Sequence, residues 1–516
     1  RKKQLQLIAE CYTKDGIKVL NDFHFWVCAA VKAVCSAGSS DAFRLKCYRE
    51  DCHRVCITAL QLSSKTAVTG EALLALERLF RSNEVVCLEA KTSTREQVGK
   101  TIAKLTNGIQ RFLGAGYTLE IRNSECVEAY CKLILRFTKL LGVGEDSVAI
   151  YEKNGVLTTL ITLLKTRRTC IVSVDAILCA LKELVSIRGI GDVCMQNGLI
   201  SAIQTVMTLH AESSASTAAL GCGCFGAVLE NVYMEKTTGT AWWKRLLCQV
   251  HGALCNHVHS AFVQCESIRT LANIATLDTS PYIAGKEYVT VIKVMKDNVD
   301  NSDLQLHCCR FFTVLVNLET TIVKRLLAHN LMFIVLRALN VHIADTNVAL
   351  KLLQLLNGML SFPHHDAGAL NNVKSKHEFR ALLVAYRLST PTLATKVFLR
   401  FRGMELLLKA ARHFKGTCDE FLITEQILHS WKNVLLFHQV DVEERDIIDV
   451  VASLVEMSNG RLLMPALWVL AYINLHYEDN DLPLNIRALI ETSLEKIGRD
   501  RARGAFCNRY HFLLSY

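Results

Sequence analysis

Proline is nearly missing, with 5 in 516 residues. Each proline removes an amide donor and clashes with the preceding helical turn, so its scarcity leaves long helices unopposed. Also absent is any charge-free apolar run approaching the roughly 20 residues that a bilayer requires, so no membrane span is expected. The nearest, Leu331–Leu336, is cut by Arg337. None of the 21 cysteines stands in C-x-x-C spacing. Scattered through helical stretches of a long chain, they read as reduced, small apolar core residues of an intracellular protein. No P-loop, His-Glu-x-x-His helix or kinase signature occurs, so no enzyme is expected. The chain begins at Arg1 and not at Met, which leaves room for a targeting signal upstream.

Hydrophobic residues make up 51% of the chain, and mean hydropathy is +0.22. At this length the chain is expected to be multidomain or an elongated repeat. The formal net charge of +10 biases it towards acidic partners such as acidic peptide segments or tubulin tails. Nucleic acid is disfavoured as a partner, and ordinary solubility charge remains the simpler reading.

The most informative pattern is a series of asparagines inside apolar helical runs: Asn231, Asn273, Asn317, Asn357 and Asn433. They recur about every 40 residues, and the last interval is close to two such periods. Each follows a Leu or Trp by two places: Leu229, Leu271, Leu315, Leu355 and Trp431. A second series gives the repeat starts. Asn154–Gly155 and Asn197–Gly198 each open an apolar helix, and further starts fall near Ala241, Gly285, Leu331 and Gly403. The glycine is expected to end one helix in a left-handed turn. A period of about 40 residues marks stacked helical repeats, because one such unit cannot bury its apolar face alone. The predicted organisation is an irregular helical region over 1–150, with degenerate repeats as one form it can take, a repeat array over 151–480, and a helical cap with a basic tail over 481–516. The long interval between Leu331 and Gly403 is expected to hold one irregular repeat, with Phe362–Lys376 as an interrupting loop.

These starts and Leu-x-Asn ends resemble the armadillo repeat. The resemblance implies an all-α, right-handed solenoid whose third helices line a concave groove; paired HEAT-like helices are the alternative. In peptide-binding members the groove asparagine hydrogen-bonds the ligand backbone, a role that would fall here to Asn231, Asn273, Asn317, Asn357 and Asn433. A carboxamide offers a donor and an acceptor and suits that task; stiffening the helix stack is the competing role. Nuclear-import members place a tryptophan four residues earlier. Here those positions hold Ala227, Arg269, Thr313, Leu353 and His429, and only Trp468, four before Tyr472, fits. Arg269 would repel a basic import signal. Import is therefore disfavoured, and Arg269 and Trp468 join the candidate partner-binding residues.

Other constellations carry less. Gly221–Cys–Gly223–Cys–Phe–Gly226 matches G-x-G-x-x-G but lacks the preceding strand that phosphate binding needs, so a close helix contact is expected. Cys47, Cys52, His53 and Cys56, and likewise His251, Cys255, His257 and His259, read as core or surface residues, since zinc sites pair two separated clusters. No metal or cofactor is expected. Trp242–Trp243 would point about 100° apart on a helix, leaving one able to anchor a partner. The leading function is a non-enzymatic, cytoplasmic scaffold that binds extended segments of other proteins. The alternatives are a permanent subunit of a cytoskeletal or axonemal assembly in a cilium, and a cargo adaptor or chaperone.

Overall fold

The computed structural model describes residues 14–361 and 393–435, apart from short gaps at connections, together with scattered positions from 447 onward. Among the described residues there are 23 α-helices and no strand. None of these helices is long and apolar enough to cross a membrane. The chain divides into two compact units, residues 1–273 and 274–516.

The first unit opens with α1 (Lys14–Ser36) and continues in groups of three. The first group is α2 (Asp41–Arg49), α3 (Cys52–Leu62) and α4 (Thr66–Leu79); the second is α5 (Asn83–Thr92), α6 (Arg95–Gly114) and α7 (Ile121–Leu141). Next come α8 (Glu145–Lys153), α9 (Val156–Thr166) and α10 (Ile171–Val185), then α11 (Ile190–Gln196), α12 (Leu199–His210) and α13 (Ala215–Asn231). Helices α14 (Ala241–Asn256) and α15 (Ala261–Leu277) follow. The third helices α1, α4, α7, α10 and α13 pack side by side in that order, and α3, α6, α9 and α12 form a parallel row of second helices. Among the described residues the same packing order includes helices α1 to α8.

The second unit holds α16 (Glu287–Asp297) and α17 (Ser302–Leu318), then α18 (Ile322–Ala328), α19 (Leu331–Val341) and α20 (Thr346–Leu360). Its last described group is α21 (Leu393–Arg400), α22 (Gly403–Phe414) and α23 (Glu420–Leu435). Helix α20 packs directly on α23, and α18 and α19 pack on α21. The neighbours across the long interval from Leu331 to Gly403 are thus adjacent repeats. The interval holds one repeat, begun by α19 and α20, and the expected interrupting loop Phe362–Lys376 lies outside the described residues.

Repeat starts follow backbone chemistry. Gly155 (φ 64°) and Gly198 (φ 76°) adopt the left-handed conformation that glycine tolerates without steric cost. The preceding asparagines finish the previous helix: Asn154 Nδ2 donates to the Ile150 carbonyl at 2.8 Å and Asn197 Nδ2 to Val193 at 2.7 Å. At the later starts the left-handed residues are Asn330 (φ 60°) and Arg402 (φ 57°), not Leu331 or Gly403. A left-handed residue with a side chain costs roughly 1–2 kcal/mol. Gly198→Ala should therefore lose about 1 kcal/mol and Arg402→Gly gain about as much, less the exposed Arg402–Glu405 pair, both read as shifts of the urea midpoint.

The interior is apolar and contains most of the described cysteines, whereas Cys87, Cys248 and Cys255 are exposed, against the expectation of core thiols. Cys131, Cys222, Cys224 and Cys309 are buried, and burial pushes the Cys222 thiol up to about 12. All described cysteines are free thiols. Buried glutamates cross-link the third helices of the first unit: Lys32 of α1 reaches Glu71 of α4 at 2.6 Å, and Arg136 of α7 lies 3.7 Å from Glu77 of α4.

Candidate functional site

The three glycines of the 221–226 motif face three different neighbours from α13. A Cβ on Gly221 would collide with Met207 Sδ, and one on Gly226 would meet Thr270 Oγ1 at 2.8 Å. At Gly223 it would lie 3.0 Å from both Glu266 Oε2 and Lys182 Cδ. The motif is a set of notches in a helix, each opened to a close neighbour. Through the middle notch Lys182 of α10 passes over α13 and donates to Glu266 of α15, two repeats on. Arg269 sits 3.0 Å from the other Glu266 oxygen and donates to the Gly223 carbonyl at 3.1 Å. The Lys182 ammonium also lies 5.7 Å from the ring centroid of Phe262, which is 50% exposed.

The asparagine series divides by environment. Asn231 Nδ2 donates to Val185 O at 3.2 Å, and Asn273 Nδ2 to Gly226 O at 3.0 Å, each on the preceding third helix. Asn357 Nδ2 donates to Gln426 O at 3.0 Å while its carbonyl accepts from Ser430 at 2.5 Å, stitching α20 to α23. Asn317 is exposed and Asn433 is half-buried, and neither makes a side-chain hydrogen bond among the described residues. Trp468 lies outside the described residues, as do the side chains of Trp242 and Trp243.

Sequence reasoning missed a row of histidine struts. His210 Nε2 bonds Arg168 O at 2.5 Å, His257 bonds Ala211 O at 2.5 Å, and His342 bonds Val299 O at 2.6 Å. Each joins the turn before a third helix to the equivalent turn of the previous repeat. Of the cysteine and histidine cluster near residue 50, Cys56 is buried and hydrogen-bonds to Cys28, while Cys52 lies beside Cys47. Among the described residues no group of three or more metal-ligating side chains converges.

No family model matches the sequence, and no curated protein matches it. Solved structures do. An engineered protein shares 14% identity over 90% of this chain and 99% of its own, with a TM-score of 0.61. A chain from a structure concerned with a phosphorylation switch in the cadherin–beta-catenin interaction shares 10% identity over 94% of this chain and 98% of its own, with a TM-score of 0.52. At such identities the likeness is one of fold. The chain is an α-helical solenoid.

Proposed function

We propose that this chain is a non-enzymatic, armadillo-like scaffold that binds extended segments of other proteins along its third helices. The short first helices α8, α11, α18 and α21 support the three-helix armadillo plan over paired HEAT-like helices. The carrying observation is the mixed surface of the third helices. In the first unit Phe262 is about half exposed beside the Lys182, Glu266 and Arg269 charges, and in the second unit, taken by itself, Asn317 presents a solvent-facing amide. Apolar side chains alongside backbone-binding groups suit a peptide whose side chains vary. Asn231, Asn273 and Asn357 use their Nδ2 groups within the stack, so the ligand-facing role falls mainly to Asn317 and Asn433.

The test uses peptides selected on the full chain from a random display library. Asn317→Ala and Phe262→Ala should each weaken selected peptides about tenfold, the equivalent of about 1.4 kcal/mol, in fluorescence anisotropy with melting unchanged. Undiminished affinity in both variants would sink this reading.

A second reading, a permanent subunit of a larger assembly, is supported by α1. Val19, Phe23, Trp26 and Val34 form one exposed apolar stripe, with Trp26 70% exposed. Contiguous patches of this kind mark interaction surfaces. An acidic tubulin lattice in the cytoplasm or a cilium would suit the net charge of +10. A purified chain that stays monodisperse and soluble would count against it.

A further inference from the structure

Between the second helices of the first two repeats lies a cleft away from the third-helix row. It has a volume of about 600 Å³, lies between α3 and α6, and includes residues from α2 and the end of α5. Its floor is made of buried polar groups. The His53 ring stacks on Tyr48 with centroids 4.2 Å apart. The Tyr48 hydroxyl donates to Glu89, whose other oxygen accepts from Ser93 at 2.6 Å. His53 is 8% exposed and packs beneath the cleft as part of this floor. Burial also lowers the His53 pKa, leaving the ring a neutral acceptor.

The walls are basic. Arg49, Arg54, Lys100 and Lys104 line the cleft together with the carboxylates Asp51 and Glu89. Two of the cations sit in exposed pairs within one turn, Arg54–Asp51 at 3.2 Å and Lys100–Glu96 at 2.7 Å. Such pairs hold weakly and yield readily to a more highly charged anion. Arg49 and Lys104 make no ion pair among the described residues. Lys104 also borders a second depression along the same seam, shared with Arg111. Arg111 is already committed: it donates to the carbonyls of Leu60, Gln61 and Ser63 and so caps α3.

We propose that this cleft recognises a phosphate monoester carried on a segment of a partner protein. Arg49 and Lys104 hold the phosphate, and Arg54 and Lys100 turn towards it. A monoester carries a charge of about −1.5 to −2 at neutral pH and three strong acceptor oxygens, so it can engage several cations at once. The volume falls in the range of small-ligand sites.

The experiment is fluorescence anisotropy of a short labelled phosphoserine peptide with the full chain, with O-phosphoserine as free competitor. The expected result is saturable binding, lost on dephosphorylation of the peptide and weakened at least about tenfold by the Arg49→Gln, Lys104→Gln double variant. Lys293→Gln, an exposed cation on α16, should leave affinity unchanged, with thermal unfolding as the check on fold. Absence of binding, or equal affinity in the double variant, overturns the proposal. If O-phosphoserine binds as tightly as the peptide, the monoester is recognised but the partner segment is not. These outcomes are independent of Asn317 and Phe262, so the cleft and the third-helix face stand or fall separately.

Discussion

Gly403→Ala is expected to destabilise the second unit by about 2–3 kcal/mol, as overpacking of a filled core does. A methyl group at this position would fall well inside van der Waals contact of Phe398 Cε2, Cδ2 and Cζ. Phe398 is wholly buried, so its rigid ring has no open space into which to withdraw. The left-handed backbone belongs to Arg402, so this cost is steric and adds no dihedral strain. Trimming the ring should relieve it: Phe398→Leu in the Gly403→Ala background should cost far less than Phe398→Leu alone. Urea unfolding followed by far-ultraviolet circular dichroism measures both. A Gly403→Ala protein as stable as the parent would show that α21 and α22 can move apart freely.

Lys182→Met should cost about 2 kcal/mol, somewhat below the roughly 3–5 kcal/mol expected when one half of a buried pair is lost. The side chains of Lys182 and Glu266 are only 19% and 11% exposed, so removing the lysine strands a mostly buried carboxylate. Arg269, still 3.0 Å away, moderates that loss. Gly223→Ala should act through the same contact, since its methyl would press on both partners. The two substitutions together should therefore cost clearly less than their sum. Full additivity in a double-mutant cycle would mean that Gly223 and the ion pair are unrelated.

The repeat period, the left-handed glycines at 155 and 198 and the asparagine series are legible in the sequence because they are local and recur. The region 1–150 resists phasing for an equally local reason. The turn between α2 and α3 is made by Asp51 at φ 59°, and that between α5 and α6 passes through an extended Ser93, so neither carries a glycine. Gly403 does open a repeat but is not its left-handed residue, since a close approach and a positive φ both select glycine. The Lys182–Glu266 bridge joins residues 84 apart, two periods, where no short motif could reveal it. The His53 cleft is hidden similarly: its walls come from helices whose register only the stack defines. The asparagines show the limit of chemical type. Asn273 and Asn317 share a sequence context, yet one is buried against a neighbouring helix and the other faces solvent.

The direct seating of α20 on α23 separates the order of the chain from the order of the stack. Asn357 and Gln426 are 69 residues apart, whereas Asn273 and Gly226, bonded across an ordinary step, are 47 apart. Closing a loop costs only about 0.6 kcal/mol more for each doubling of its length, so the longer connection adds little to the work of folding. The joint itself is set by the contacts of Asn357 with Gln426 and Ser430, whatever the number of residues that separates them along the chain.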